Sequence, residues 1–353
     1  MKIRILLAAA IAAIALHSPA RTRSAMFETD STFFTTAEAA RIGDQIIAYQ
    51  RVTGGWPKNI DMASYLTAAE LDAVVSMKNR RNDSTTDNDA TSTQLYFLAR
   101  LYKAQPCSKW RSSFTKGIEY LLSGQYPNGG WPQFWPENRG YQKHITYNDG
   151  AMVNTLSIIR DVRDGKAPFD TDGLIDEAMR ARLDTAFSRG IDCILATQIV
   201  VDGEPTVWCQ QHDCETLAPA PARAFELASF CSTESVGIVW LLMDIPNPDS
   251  RVRRAVEGAM RWFDRTRIDG YRYERRGPNG TRLVADSASS VWARYYDLET
   301  MRPFVCDRDG IPRERLEDIG RERRDGYSWY ASFAGALYGR YKQWKEAIQD
   351  PER

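Results

Sequence analysis

The chain is poor in histidine and cysteine, carries no net charge, and beyond its first twenty residues has no long apolar run. Three histidines and six cysteines (Cys107, Cys193, Cys209, Cys214, Cys231 and Cys306) in 353 residues are too few for a disulfide scaffold, although an oxidising compartment would permit one or two bridges, with Cys209 and Cys214 close enough in sequence to pair. No C-x-x-C pair or second histidine cluster supports Cys209, His212 and Cys214 as a zinc site, so the cysteines read as structural. Lys plus Arg equals Asp plus Glu at 46 each. No long-range field therefore recruits nucleic acid or an anionic membrane, and any anion site must be local. No later stretch approaches the roughly 20 apolar residues of a membrane span. Residues 32–348 contain no linker, low-complexity tract or long charge run, which points to a single domain.

What is present begins with a leader. Lys2 and Arg4 precede an apolar run from Ile5 to Leu16 and then Ser18-Pro19-Ala20, the pattern of a secretory signal cleaved after Ala20. This predicts export to the periplasm or beyond, with residues 21–31 a mobile lead-in and the tail from Gln349 frayed. Helical periodicity dominates the rest: Ile175, Met179, Leu183, Phe187, Ile191 and Leu195 recur every fourth residue, one face of a long helix. Further helices are expected over 36–51, 67–79, 91–104, 110–123, 151–163, 234–244, 251–264 and 328–347. Strand signals are sparse, so the fold class is mostly α.

Internal repetition refines that reading. Gly54-Gly55-Trp56-Pro57 returns as Gly129-Gly130-Trp131-Pro132, each after a helical stretch that carries a glutamine, Gln50 or Gln125. The segment Gly117–Gln125 aligns with Gly190–Gln198, and Trp131 or Trp208 follows each. The second helix of each pair opens on a polar signature: Thr86-Asp87-Asn88, Tyr147-Asn148-Asp149-Gly150, or Ser232-Thr233-Glu234. Any one of these is a good N-cap and nothing more. Helix pairs of near-constant length with equivalent loops at one end would close into an α/α toroid with a groove across that end.

The loops hold the candidate chemistry. Ten tryptophans supply flat apolar area with a polar edge, which suits sugar rings, although most aromatics belong to cores. Asp87, Asp149, Arg223, Arg294 and Arg308 all fall in or beside the expected rim loops. Two carboxylates from different helix starts form a plausible half of a Ca²⁺ shell, to be completed by substrate carboxylates and water. Pro219 and Pro221 stiffen the loop that presents Arg223. Arg308 lies between Asp307 and Asp309 in a segment that alone reads as a plain turn. Lys58 and Asn59 follow the first Gly-Gly-Trp-Pro and could meet substrate oxygens. Each Asp taken singly is more often a cap, and each Arg more often a surface ion pair.

Ten segments in order, GGWPKN (54–59), TTDNDATSTQLYFLARLY (85–102), YPNGGWPQFWP (126–136), ITYNDGAMVN (145–154), TVWCQQHD (206–213), PAPARAFE (219–226), STESVGIV (232–239), VWARYYDL (291–298), RPFVCDRDG (302–310) and GYSWYA (326–331), resemble polysaccharide lyase family 10. The resemblance implies an (α/α)3 toroid, an incomplete α/α barrel, acting on polygalacturonate by Ca²⁺-assisted anti β-elimination to give 4,5-unsaturated products; a monomer is the expected state. It implies calcium ligands at Asp87 and Asp149, a Brønsted base at Arg308, and substrate-carboxylate contacts at Arg223 and Arg294. Asn88, Lys58 and Trp329 become candidates for sugar contact. Asp89 departs from the family pattern, which has glycine there. An arginine base needs alkaline conditions and nearby cations, because guanidinium otherwise stays protonated. Competing readings are a glycoside hydrolase of acidic polysaccharide using the two aspartates, or a non-catalytic periplasmic binder of oligouronates.

Overall fold

The computed structural model describes residues 25–349. The leader expected at 1–20, residues 21–24 and the tail beyond Gln349 lie outside them; of the expected lead-in, Met26 is described and is buried. Among the described residues, ten α-helices are α1 (Ala37–Tyr49), α2 (Ala68–Ser76), α3 (Ser92–Ala104), α4 (Ser108–Ser123), α5 (Ala151–Arg163), α6 (Glu177–Thr197), α7 (Ser232–Met243), α8 (Ser250–Arg265), α9 (Arg321–Gly326) and α10 (Ala336–Gln349). Starts follow from side chains that accept orphan amides: Thr36 from Ala39, Thr67 in a capping box with Glu70, and Asp249 from Val252.

The helix expected at 328–347 starts later, at Ala336. Its first part is a strand instead, because Tyr330 and Ala331 pair with Ala293 and Trp292. The partner strand belongs to a long hairpin, Ile268–Gly277 with Gly280–Ala293, that the sequence reading missed altogether. Both its faces are largely half-exposed, so no apolar alternation marks it.

The chain divides into two compact units: residues up to Gln125 with Gln133–Asn138 and Asn154–Ser188, and Tyr126–Pro132 with Arg139–Val153 and everything from Arg189. The first holds α1 to α4, most of α5 and the start of α6. The second holds the end of α6, α7 to α10 and the strands.

The repeat seen in the sequence is a repeat in hydrogen bonds. Gln50, Gln125 and Gln198 each donate a side-chain amide to a helix carbonyl, of Ser113, Ala186 and Ala255, at 2.9, 2.8 and 2.9 Å. The carbonyls of Trp56, Trp131 and Trp208 each accept from a backbone amide just before a polar turn or helix start, of Thr85, Thr146 and Cys231. All three indoles are buried. Buried polar groups are paired in this way in native interiors, and the same solution used three times explains why the Gly-Gly-Trp-Pro segments recur.

The glycines ahead of those indoles are fixed by backbone rather than by chance. Gly54 has φ +95° and a Cβ there would sit 2.2 Å from the carbonyl oxygen of Lys116; Gly129 has φ +92° and would meet that of Arg189 at 2.0 Å. Only glycine takes such a φ so close to another main chain. Gly129→Ala is expected to cost about 3 kcal/mol or more. Gly203→Ala, also at positive φ (+80°) but with nothing within 4 Å of a Cβ, should cost about 1 kcal/mol. Urea unfolding of the two variants checks this, and equal losses would remove the clash as the reason for Gly129.

Candidate active site

The first unit builds a turn around a buried acid. Thr85 fixes it twice: its hydroxyl donates to Gln133 O at 2.5 Å and accepts from Asp87 N at 3.1 Å. The turn that follows, Asp87–Asp89, contains Asn88 in the left-handed region (φ 52°, ψ 44°), and Asp89 has φ +60°. Asp87 is fully buried. Its Oδ2 accepts from Lys58 Nζ at 2.5 Å and Gln133 Nε2 at 2.6 Å, the compensation that a buried charge requires. Asn88 and Asp89 are exposed. Asp89 Oδ1 accepts from Asn154 Nδ2 at 3.0 Å. The positive φ explains the departure noted above: glycine is at ease there, and aspartate is among the few other residues that tolerate it.

The second unit repeats this turn with acid and amide exchanged. In Asn148–Gly150 the left-handed residue is Asp149 (φ 49°, ψ 31°), followed by Gly150 at φ +72°. Here the amide, Asn148, is buried and Asp149 is exposed. Asn148 Nδ2 donates to Asp149 Oδ2 at 2.9 Å, and the carbonyl of Gln210 accepts the amides of Tyr147 and Asn148. Asp87 therefore holds the position of Asn148, and Asp149 that of Asn88: one acid is buried and paired with lysine, the other is open to solvent.

The three expected arginines converge within the second unit. Arg294 sits where one sheet hands over to the next: its amide donates to Trp329 O at 2.7 Å and its carbonyl accepts from Ser232 N at 3.0 Å. Its guanidinium pairs with Glu234 at 2.5 Å, reaches Asn148 Oδ1 at 3.5 Å and lies 4.7 Å above the Tyr327 ring. Its buried Nε has no acceptor among the described residues. Arg223 lies over Phe225 (4.9 Å) and Tyr327 (5.7 Å), and Arg308 over Phe225 at 5.8 Å. A fourth guanidinium, Arg323, which the sequence reading did not single out, is 4.4 Å from the same ring. Phe225 and Tyr327 meet edge to face at 5.2 Å, so four cations share one aromatic pair.

Carboxylates hold these cations in place. Glu226 is buried and accepts from Arg223 Nε (2.6 Å), Arg223 Nη2, Arg223 N (3.1 Å) and the Tyr327 hydroxyl (2.7 Å). Tyr327 continues to Tyr295 at 2.7 Å, whose hydroxyl donates to Gln210, and so to the Asp149 turn. Burial alone would raise the Glu226 carboxyl, but hydrogen bonds from Arg223 and Tyr327 hold it below its ordinary value. Glu226 in turn raises Arg223. Arg308 is raised chiefly by Glu322, which Arg323 and Arg308 hold down to about 2.

Several expectations change. The Arg308 guanidinium does not pair with its flanking acids: Asp307 accepts from the Arg308 backbone amide (2.7 Å) and from Gly320 N (2.6 Å), and Asp309 from Arg313 (2.6 Å), because both serve the turn. Trp329 is fully buried, its indole N–H donating to Arg323 O at 3.0 Å, so it supports the arginines rather than presenting a face to a sugar. All six cysteines are free thiols, so the Cys209–Cys214 pairing is absent. Both ring nitrogens of His212 are taken by backbone, Cys209 N at 3.0 Å and Leu217 O at 2.9 Å, which makes it the brace of that loop. Among the described residues, no cluster of three or more His, Cys, Asp or Glu is arranged for a metal. The donors that are present are hard oxygens. Exposed Asp149 suits a cation as it stands, whereas Lys58 competes for an oxygen of Asp87.

Comparison with known proteins adds the family. The pectic acid lyase model matches residues 50–337. Two solved structures are similar, both of family 10 polysaccharide lyase from Cellvibrio cellulosa. An aspartate-to-alanine mutant in complex with trigalacturonic acid is 35% identical, over 86% of this chain and 92% of that one, at a TM-score of 0.79. The second is 34% identical over 88% and 95%, also at 0.79. None of the curated proteins matches. The likeness carries the fold, the (α/α)3 toroid that the family resemblance implied.

Glu226→Gln keeps the shape of the buried acceptor and removes its charge. It should cost about 1–3 kcal/mol at neutral pH. Because folding lowers the Glu226 pKa, its contribution is complete above the ordinary value of 4.5 and vanishes as acid titrates the folded form. Chemical denaturation across pH should show wild type and variant converging in acid; a constant gap would contradict the assignment.

Proposed function

Because the chain belongs to the pectic acid lyases of polysaccharide lyase family 10, and is therefore a pectate lyase, we propose that it cleaves polygalacturonate by Ca²⁺-assisted anti β-elimination with an arginine as base. The observation that carries the finer reading is the gathering of four guanidinium groups on Phe225 and Tyr327. A polyuronate brings one carboxylate per sugar, and elimination removes the C5 proton beside it.

The carboxylate must be neutralised where charge develops. Arg294, buried and with a donor still unmet, is suited to bind it; leaving such a donor without an acceptor costs about 1–3 kcal/mol. Asp149, in the second unit, and Asp87, in the first, are each proposed as a calcium ligand, with substrate carboxylates and water as the other ligands. When bound, the ion would further neutralise the uronate and make its C5 proton more acidic. Lys58 and Asn88 are the proposed sugar contacts beside Asp87.

The base must be reachable. Side-chain exposure is 65% for Arg308 and 43% for Arg223, against 8% for Arg294 and 10% for Arg323. The choice therefore falls between the first two. Arg223 is tied to buried Glu226, whereas Arg308 is tied to exposed Glu322 at 3.1 Å. An exposed pair is worth at most about 1 kcal/mol, so Arg308 is the easier to release. Its neutral guanidine takes the C5 proton, the C5–H electron pair forms the C4=C5 bond, and O4 leaves with a proton from water. The hydrolase reading is weaker, because Asp87 is fully buried with its Oδ2 taken by Lys58 and Gln133, and a general acid must reach the glycosidic oxygen.

Digestion of polygalacturonate should raise ultraviolet absorbance as the conjugated C4=C5 bond forms, faster toward alkaline pH, and stop with chelator until Ca²⁺ is restored. Shorter products without absorbance would indicate hydrolysis instead. Arg308→Lys should lower kcat at least about 100-fold with little change in KM, whereas Arg223→Lys should act mainly on KM. The reverse pattern would move the base to Arg223, and normal kcat in both variants would dismiss an arginine base.

A further inference from the structure

The first unit also carries a cavity of about 700 Å³ that shares no residue with the clusters described above. Its size falls within the roughly 300–1,000 Å³ of small-ligand pockets in general. Ser108, Arg111, Ser112, Thr115 and Lys116 line it from α4, at the i, i+3, i+4, i+7 and i+8 spacing that places them on one face of the helix. The opposite face, with Ser113, Phe114 and Gly117, is buried. Tyr102, Pro106 and Cys107, just ahead of α4, complete the lining. A polar stripe alone is a solvated surface; here it is one wall of a concavity.

The cations of this cavity differ from their neighbours. Lys103 pairs with Asp170 at 2.7 Å, Lys109 with Asp44 at 2.6 Å, and Arg182 with Glu119 of α4 at 2.6 Å. Arg111 and Lys116 have no ion pair or hydrogen bond among the described residues, and no acidic residue lines the cavity. Two unopposed cations in one concavity concentrate positive potential and favour an anion there. Three hydroxyls, each able to donate or accept, stand in a row beside them, and the Tyr102 ring supplies apolar area with a polar edge. An inorganic anion would use the charges alone. A sugar acid would use the charges, the hydroxyls and the ring together.

We propose that this cavity is a second binding site for acidic oligosaccharide, with Arg111 and Lys116 meeting carboxylates and Ser108, Ser112 and Thr115 meeting ring hydroxyls. The inference rests on the acidic-polysaccharide reading above, and it adds a place that holds the polymer without cleaving it. A chain retained at one point keeps its other segments at raised effective concentration around the same molecule.

Cys107 reports occupancy in the unaltered protein, because it lines the cavity as a half-buried free thiol; Cys214, also free and half-buried, lies in the second unit and serves as reference. Thiol labelling of the full chain, resolved by peptide mass spectrometry, would be timed with and without trigalacturonate, in chelator so that the trisaccharide is not consumed. At ten times its Kd the trisaccharide should slow labelling of Cys107 about tenfold and leave Cys214 unchanged. Arg111→Ala with Lys116→Ala, both at exposed positions, should abolish most of that protection. Labelling of Cys107 slowed no more than that of Cys214, or protection that survives the double substitution, would overturn the proposal. So would equal protection by inorganic sulfate, which would make the cavity a simple anion site, or by neutral maltotriose, which would make the cations irrelevant. The wild-type comparison stands even if the double variant fails to fold. Ultraviolet-absorbing products without protection would leave the lyase reading intact and sink this one; protection without such products would do the opposite.

Discussion

The buried charged groups described above in each unit carry a partner of opposite sign. Lys58 with Asp87, Arg223 with Glu226, Arg294 with Glu234, and Arg308 and Arg323 with Glu322 are neutralised pair by pair. Ions removed from water without a partner cost several kcal/mol each, so a protein that gathers four guanidinium groups around two rings must supply the carboxylates as well. The aromatic pair adds a second, softer compensation. The surrounding order follows from that requirement: Glu226 ties its loop to Tyr327, Tyr327 to Tyr295, and Tyr295 to Gln210.

Much of the fold was legible because its signals are local and repeated. The polar turns before α3 and α5, the polar first turn of α7 and the recurring Gln, Gly-Gly and Trp positions stand in the sequence at near-constant spacing, and the hydrogen bonds show why each is needed. Except for the last helix, the expected helix starts fall within a few residues of those observed for the same reason. The long hairpin was not legible, since half-exposed strands need no alternation of apolar and polar residues. Its pairing with Tyr330 and Ala331 also shortened the last helix, a long-range effect that no local pattern announces.

The site was legible in part. Motif position picked out Arg223, Arg294 and Arg308, and they do gather. Their partners were invisible: Glu226 and Glu322 are ordinary acids in sequence, and Phe225 and Tyr327 are two aromatics among many. Arg323 is one of three arginines in the run from Arg321 to Arg324, and only burial against Phe225 separates it from its neighbours. Trp329 shows the converse error, because an aromatic in a polar-looking segment suggests a platform and proves to be an internal support.

The two left-handed turns have an implication for how such a protein diversifies. Asp87-Asn88 and Asn148-Asp149 trace nearly the same path, yet trading the order of acid and amide moves the negative charge from the interior to the surface. Repeated turns of one chain can thus take on different chemical duties by exchange of adjacent side chains, while the main chain that carries them stays put.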